Sequence, residues 1–166
     1  VIFVAALGPV VTAFYQVYYT KENGLSTSDD YVVDMAYRNG YLFATGTTYG
    51  ALNGATQPFP VISCDIFVLK IAASSGNREF TKLYGTDACD APTSLVLDDS
   101  GNIYITGYTS GSFGGTFQGI WDTFVLKLDN NGNELFVELY GTSAVEFGNG
   151  IAVDNSGNIY VAGLTG

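Results

Sequence analysis

The 166-residue sequence contains no histidine, and acidic side chains outnumber its few basic ones. The lack of histidine excludes Ser-His and Cys-His nucleophilic centres, His-ligated zinc and the commonest general base near neutral pH. Six Lys and Arg residues against sixteen Asp and Glu residues give a net charge of −10. Because clustered cations are needed to bind nucleic acids and anionic membranes, we expect no nucleic-acid partner.

The short motifs of nucleotide-dependent and hydrolytic enzymes are also missing. There is no Gly-x-Ser-x-Gly elbow, no Walker loop and no dinucleotide-binding fingerprint. The glycine-rich residues 111–115 lie in a loop that no predicted helix follows, so they are not a phosphate-binding loop. We therefore expect a protein that is not an enzyme and that uses no cofactor and no metal.

One long uncharged run, residues 1–19, raises the question of a membrane span. The turn-forming pair Gly8-Pro9 interrupts it, and its apolar residues fall on the repeat positions described below. The run therefore favours a β-hairpin, and no membrane span is expected.

What the sequence does contain is an internal repeat in a composition that is 47% hydrophobic and 14% aromatic. Four motifs recur in the same order at a spacing of 56 or 57 residues. The matched pairs are residues 65–71 with 122–128, 83–86 with 139–142, 95–98 with 151–154, and 101–107 with 157–163. We predict about three repeats: a degenerate one over residues 1–63, a second over 64–120 and an incomplete third over 121–166.

The degenerate first copy keeps the spacing of the other two. Residues 2–4 match 66–68, and Phe14 and Tyr18 keep the four-residue spacing of Phe80 and Tyr84. Residues 41–46 then correspond to 102–107.

Each repeat contains four short runs rich in Val, Ile, Phe and Tyr that are separated by turn signals. Over residues 93–140 these runs predict strands at about 93–98, 101–107, 122–128 and 134–140. Asp, Asn and Gly cluster at 98–102, 130–133 and 154–158, as tight hairpins require. The pattern predicts an all-β fold of four-stranded antiparallel β-propeller blades.

The repeated phrases also resemble a known family. An Asp-x-Phe-Val-x-Lys strand, a Tyr-Gly end and a Gly-Asn-Ile-Tyr strand, as at 122–127, 140–141 and 157–160, are similar to the bacterial and archaeal SBBP propeller repeats. The resemblance is degenerate in the first copy, where Val1 replaces the Asp and Ala6 the Lys. It implies a propeller on a secreted or cell-surface protein and implies no reaction.

Blade order raises the question of ring closure. If blades run from the inner strand outward, residues 1–19 are two outer strands and residues 149–163 two inner strands, so together they would make one blade. Three blades are fewer than the four to eight of typical propellers. The chain is then a segment of a longer protein, or two copies form a six-bladed ring, or many copies join through open edge strands.

Cys64 and Cys89 are the only cysteines. If residues 65–71 pair with 79–84 about a turn near 75, Cys64 lies opposite residue 86 and close to Cys89, so a disulfide is sterically reasonable. The corresponding residues of the next copy, Trp121 and Val145, are apolar. A disulfide would indicate an oxidising compartment; two free thiols are the alternative.

Several polar residues recur at repeat positions and are given structural roles: Asp65, Lys70, Asp98, Asp122, Lys127 and Asp154. Lys70 and Lys127 lie in apolar strands, and we expect each to reach an aspartate of an adjacent strand or blade, with Asp98 and Asp154 as the candidates. The Asp129–Glu134 turn carries possible calcium ligands. Its spacing departs from an EF-hand loop, and hairpin chemistry explains the same residues.

The loops after the second strand of each repeat are rich in aromatic residues. Such side chains stack on sugar rings or protein partners, or else fill the gaps between blades. They are Tyr49, Phe59, Tyr108, Phe113, Phe117 and Trp121.

The function expected first is a non-catalytic structural or interaction module of a secreted or cell-surface protein. Its partners would be copies of itself or the rest of a longer chain, and glycans or surface proteins are further candidates. The alternative is a carbohydrate-binding or carbohydrate-processing propeller that uses the aromatic loops with Asp87, Asp90 and Glu146.

Overall fold

The computed structural model describes residues 30–50, 52 and 63–166, and these form ten antiparallel strands. No helix of the length and apolarity needed to cross a membrane occurs in these ranges. The strands are β1 (Tyr31–Arg38), β2 (Tyr41–Thr48), β3 (Asp65–Ala72), β4 (Arg78–Tyr84), β5 (Asp90–Leu97), β6 (Ile103–Thr109), β7 (Asp122–Leu128), β8 (Glu134–Tyr140), β9 (Glu146–Val153) and β10 (Ile159–Thr165).

The strands form three sheets, each in sequence order. Sheet I is β1-β2-β3-β4, sheet II is β5-β6-β7-β8, and sheet III is the pair β9-β10. The predicted all-β fold of four-stranded antiparallel blades is confirmed, and the strands predicted over residues 93–140 agree with β5–β8 to within a few residues. The predicted unit boundaries at 63/64 and 120/121 fall between the second and third strands of sheets I and II, so each sheet contains strands from both sides of a boundary.

The hairpins form because their turn residues bind their own backbone. In the turn before β6, the amide N–H of Asn102 donates to Asp98 Oδ1 (2.8 Å), and the Asn102 side chain donates to Oδ2 (2.7 Å). Gly101 supplies the positive φ of 82° that the turn requires. Asp129 with Asn133, and Asp154 with Asn158, repeat this arrangement.

Sheets I and II pack through a shared apolar core. Phe43 and Val68 of sheet I lie in one buried cluster with Ile105, Phe124 and Leu126 of sheet II. At about 25 cal/mol per Å² of apolar area removed from water, such side chains contribute most of the free energy that holds the sheets together.

Polar contacts fix how the two sheets sit against each other. Asp34 Oδ2 on β1 accepts a hydrogen bond from the backbone N–H of Leu95 on β5 (2.8 Å). At the outer side, Lys82 Nζ and the Tyr84 hydroxyl of β4 both donate to the carbonyl oxygen of Gly132 (3.0 and 2.6 Å) in the β7–β8 turn. A hydrogen bond has a narrow range of favourable geometry, so these contacts define one orientation.

The expected pairing of the strand lysines with Asp98 and Asp154 is wrong. Both aspartates accept hydrogen bonds within their own hairpins, from Asn102 and Asn158. Lys70 Nζ instead donates to the backbone oxygen of Asn130 (3.0 Å) and to its side-chain oxygen.

Lys70 and Lys127 each lie over the face of an aromatic ring. Lys70 Nζ lies 4.4 Å from the centroid of the Tyr41 ring, and Lys127 Nζ lies 4.8 Å from that of Tyr104. Burial lowers the pKa of Lys70, while the carboxylates of Glu79 and Asp129 act in the opposite direction. The lysines are therefore held by ring faces and, for Lys70, by turn oxygens of the next sheet.

Candidate functional site

A disulfide joins Cys64 to Cys89 at one end of the sheets, with 4.5 Å between the two Cα atoms. Ile66 pairs with Tyr84, which is the register that brings Cys64 opposite residue 86, so the predicted pairing is confirmed. The backbone N–H of Asp90 donates to the Cys64 carbonyl oxygen (2.7 Å). The covalent bond thus links the start of the third strand of one blade to the inner strand of the next.

The next repeat makes the same connection without a disulfide. Trp121 and Val145 form an isolated β-bridge, and the N–H of Glu146 donates to the Trp121 carbonyl oxygen (2.8 Å). Cys64 and Cys89 therefore reinforce a contact that the fold repeats with apolar side chains.

Aromatic side chains gather at this same end of the sheets. The Tyr108 ring packs edge-to-face against Trp121 and Phe147, with centroid separations of 5.1 and 4.7 Å. Tyr31 and Tyr49 share a hydrogen bond, and Tyr31 also lies close enough to Tyr108 to raise its pKa. We call these five residues the aromatic cluster.

Tyr49 and Tyr108 of the aromatic cluster both have pKa values above the usual range of tyrosine. Burial raises the pKa of Tyr49, and the neighbouring Tyr31 raises it further. Burial and Tyr31 likewise raise the pKa of Tyr108. Tyr31 and Tyr49 remain exposed, so the cluster presents aromatic rings and hydroxyl groups to solvent.

The predicted aromatic loop residues divide into two groups. Tyr49, Tyr108 and Trp121 belong to the aromatic cluster, whereas Phe113 is buried edge-to-face against Phe124, 5.3 Å away, and fills the core. Phe117 is half-buried, and Phe59 lies outside the described residues. Tyr31 and Phe147 were missed because they lie in inner strands, and only the sheet geometry brings them to the loops.

Two of the candidate acidic residues, Asp90 and Glu146, hydrogen-bond the turns at the starts of their own strands. Asp90 is fully buried and accepts hydrogen bonds from Thr86 N (2.6 Å), Thr86 Oγ1 (2.9 Å) and Thr109 Oγ1. Glu146 accepts the equivalent bonds from Thr142 N (2.9 Å) and Thr142 Oγ1 (2.6 Å). Asp87 is exposed.

The pKa values of these two buried carboxyl groups shift in opposite directions. Burial raises the pKa of Asp90 more than the threonine hydrogen bonds lower it. The hydrogen bonds from Thr142 hold the pKa of Glu146 below its usual range. Both side chains bind the turn that precedes their own strand, which is a structural use of a carboxylate.

Asp65 and Asp122 occupy matching buried positions at the start of β3 and β7. Asp122 accepts backbone hydrogen bonds from Gln118 (2.8 Å) and Gly119 (3.1 Å), so it closes the loop before its strand. Within the ranges that the structure describes, no three His, Cys, Asp or Glu side chains converge as a metal site would need. The oxygens of Asp129, which the sequence offers as possible calcium ligands, accept hydrogen bonds from Asn131 and Asn133.

A second candidate surface is the groove beside β10. It has a volume of about 740 Å³ and lies between β7–β8 on one side and β9–β10 on the other. Its lining includes Val125, Phe136, Tyr140, Val161 and Leu164. We call it the β10 groove.

The β10 groove exposes positions that are buried elsewhere in the repeat. Tyr160 of β10 is 56% exposed, whereas its counterpart Tyr104 of β6 is 1% exposed. In sheet II, β7 pairs with β6 and covers it; among the described strands, β10 pairs only with β9. Among the described residues, no strand lies along the outer side of β10.

The comparison with protein families agrees with this geometry. Residues 79–114 and 139–166 match the family model of the SBBP β-propeller repeat. The first match covers β4 with β5 and β6, that is, the outer strand of one blade and the two inner strands of the next. No curated protein matches the chain. These two stretches of the chain are therefore similar to the repeats of the SBBP β-propeller family.

Proposed function

We propose that the chain is a non-catalytic structural and interaction module of a secreted or cell-surface protein, and that it associates with copies of itself through an open sheet edge. The observation that carries this proposal is that, among the described strands, β10 pairs only with β9 and borders the β10 groove. An uncovered strand presents unpaired backbone N–H and C=O groups to any segment that can add a strand.

The disulfide supports the proposed location. Cys64–Cys89 would persist outside the cell or in another oxidising compartment, whereas cytosolic thiols are kept reduced. The strongly acidic composition is compatible with a surface that is soluble and does not bind nucleic acids.

Sedimentation velocity on the oxidised 166-residue chain tests the self-association. We expect the weight-average sedimentation coefficient to rise with concentration over roughly the micromolar range typical of specific interfaces. A chain that sediments as a monomer throughout this range would contradict self-association.

The aromatic cluster favours a second candidate function, the binding of carbohydrate. Exposed Tyr31 and Tyr49 next to Tyr108 and Trp121 offer ring faces and hydroxyl groups of the kind that stack on sugars. Because Asp90 is buried and accepts hydrogen bonds from Thr86 in the turn before its own strand, the site supports binding more than bond cleavage.

A glycan array separates the two functions. If carbohydrate binding holds, Tyr108→Ala and Trp121→Ala abolish array binding, while Tyr37→Ala, at the far end of β1 from Tyr31, leaves it unchanged. An array with no binding by the unaltered chain rejects this candidate and leaves the structural module.

A further inference from the structure

Lys70 lies near the end of β3, on the face that packs against sheet II. Alternate side chains of a strand point to the same side, so Lys70 shares its face with Ile66 and Val68, which belong to the apolar core between the two sheets. Only 7% of its surface is exposed. The amino group of Lys70 is therefore placed at the junction of two blades.

This amino group contacts a side chain of the neighbouring blade. Lys70 Nζ donates to the side-chain oxygen of Asn130 and, at 3.0 Å, to its backbone oxygen. The turn that presents Asn130 is held in shape by Asp129, which accepts hydrogen bonds from Asn131 and Asn133. Because the carboxamide carbon Cγ is one bond away from the side-chain oxygen, the amine and this carbon are held together as two oriented reactants.

The surroundings of Lys70 favour the free amine, which is the nucleophilic form. The centroids of the Tyr41 and Phe43 rings lie 4.4 and 5.3 Å from Nζ, so aromatic faces take the place of water there. Burial lowers the pKa of Lys70, and the carboxylates of Glu79 and Asp129 offset this shift only in part. A lysine with a lowered pKa in an apolar environment is an activated nucleophile.

We propose that Lys70 and Asn130 form an intramolecular amide bond that joins sheet I covalently to sheet II. The lone pair of Lys70 Nζ attacks Cγ of Asn130, the bond from Cγ to Nδ2 breaks, and ammonia leaves. One proton passes from Nζ to Nδ2. The products are one secondary amide and one molecule of ammonia, so the reaction needs no oxidant, reductant or cofactor.

Glu79 is the carboxylate that transfers this proton. At the register shift between β3 and β4, Lys70 pairs with Phe80 and the next pair skips Glu79, so this residue lies beside Lys70 on the adjacent strand. Its charge acts on the amino group. Asp129 acts on Lys70 as well, but its oxygens accept hydrogen bonds within their own turn. Glu79 takes the proton from Nζ and returns it to Nδ2 as the nitrogen leaves.

The amide bond fastens β3 to sheet II at the end opposite the disulfide. Cys64 directly precedes β3 and is joined to Cys89, which directly precedes β5 of sheet II. Lys70 lies near the other end of β3 and is joined to the β7–β8 turn of the same sheet. The amide bond resists reductant, so the junction of the two blades stays closed where the disulfide is reduced. This bond does not depend on the self-association proposed above.

A second lysine–asparagine contact in the same turn shows what distinguishes Lys70. Lys82 Nζ donates to Asn133 Oδ1 (2.9 Å), but that contact is exposed to solvent. Burial is what favours the free amine of a lysine, and Lys82 is the less buried of the two residues. We therefore expect the amide bond at Lys70 and not at Lys82.

Intact-mass spectrometry of the reduced and denatured chain tests the bond. We expect a mass below that of the sequence by one molecule of ammonia, and a branched peptide that contains Lys70 and Asn130 after proteolysis. Lys70→Arg and Asn130→Ala should each restore the full mass, and Asn130 is exposed, so its replacement leaves the fold intact. Lys82→Arg is the matched control and should keep the loss of ammonia. The full sequence mass in the unaltered chain would overturn the proposal.

The Lys70→Arg variant also separates the amide bond from another source of the same mass change. An asparagine that precedes glycine, such as Asn131 before Gly132, loses ammonia when it closes to a succinimide with its own backbone. That loss yields no branched peptide and persists without a lysine at position 70. A loss of ammonia that remains in Lys70→Arg would therefore overturn the proposal.

The role of Glu79 is tested by the rate of bond formation, followed by intact mass after cell-free synthesis of the chain. Glu79→Gln should slow the reaction by roughly 100-fold or more, and Glu79→Asp should recover part of the rate. Glu134→Gln, at an exposed glutamate of β8, is the control and should react like the unaltered chain. An unchanged rate in Glu79→Gln would overturn the assignment of the proton transfer to Glu79.

Discussion

The hydroxyl group of Tyr84 on β4 donates a 2.6 Å hydrogen bond to the backbone carbonyl oxygen of Gly132 in the next sheet. This bond joins the outer strand of one blade to the outer turn of its neighbour, and Tyr84 is buried around it. Burial also raises the pKa of Tyr84 well above its usual range, so the hydroxyl group keeps its proton and remains a donor at physiological pH.

We expect Tyr84→Phe to lower the free energy of unfolding by about 1–3 kcal/mol, because the variant leaves a buried carbonyl oxygen without this donor. Urea denaturation followed by circular dichroism measures the change. Tyr37→Phe is the control, since Tyr37 is 64% exposed on β1 and should change the stability by less than about 0.5 kcal/mol. Equal effects of the two substitutions would contradict an inter-sheet role for Tyr84.

The disulfide gives a second prediction. Replacing Cys64 and Cys89 together by alanine should lower the free energy of unfolding by about 2–4 kcal/mol, since the bond closes a loop with a sequence separation of 25 residues. The unaltered chain in reductant should lose a similar amount. Restoring the contact of the next repeat, with Cys64→Trp and Cys89→Val, should recover part of it, because Trp121 and Val145 connect the same strands.

The measurement is urea unfolding with and without reductant, together with alkylation of the native protein. If reductant lowers the free energy of unfolding of the alanine variant as much as that of the unaltered chain, the effect of reductant does not come from the disulfide.

Much of the fold is readable from the sequence because its determinants are local. Asp98 and Gly101 specify their hairpin through bonds that span four residues, and the apolar runs between turns are short enough to be strands only. The partner of Lys70 could not be read in this way. It depends on the angle between sheets I and II, which brings Asn130 of the next blade to the ammonium group and leaves Asp98 within its own turn.

The candidate site residues also divide into those that local sequence specifies and those that the packing of the sheets brings together. Cys64 and Cys89 could be paired from the register of one hairpin, which the repeat and the turn near residue 75 specify. Tyr31 and Phe147 join the aromatic cluster across sheet boundaries, and no spacing in the sequence places two inner strands beside the loop of a third.

The contribution of Asp98 to the stability of the fold should be lost as the pH falls. Burial acts to raise the pKa of Asp98, but hydrogen bonds from Asn102 and Tyr104 outweigh it and hold the pKa below its usual value. A carboxyl group with a lowered pKa stabilises the fold above its unfolded pKa of about 3.9, and this contribution is lost as the pH falls through the folded value. Asp98→Asn should therefore be less stable than the unaltered chain at pH 7, and the difference should shrink below about pH 4.

Urea denaturation at a series of pH values measures this difference. Asn102→Ala removes the donor and should return the pKa of Asp98 towards its usual value, which NMR titration of the carboxyl carbon reports. A stability difference that does not change with pH would show that the charge of Asp98 has no part in it.

Asp90 should show the opposite pH dependence. Because burial raises its pKa, the folded state favours the protonated form, and the contribution of Asp90 to stability declines as the pH rises from the unfolded value through the folded one. Relative to Asp90→Asn, the unaltered chain should lose stability as the pH rises from about 4 towards neutrality. The same denaturation series checks this prediction. The stability difference between the unaltered chain and Asp90→Asn should change with pH in the direction opposite to the difference for Asp98→Asn. A change in the same direction would contradict the prediction.

The Tyr-Gly-Thr ends of β4 and β8 give the last prediction. A Cβ atom on Gly85 would lie 2.6 Å from Asp65 Oδ1 and 2.9 Å from Asp90 Oδ2, and both carboxylates are fully buried. Gly85→Ala must displace at least one of them, so we expect a loss of about 1–3 kcal/mol in the free energy of unfolding. Gly150→Ala is the matched control, since a Cβ atom there meets nothing within 4 Å and the substitution should be close to neutral. Thermal denaturation compares the two alanine variants. If they are equally stable, the buried carboxylates beside Gly85 are not the reason for glycine in this motif.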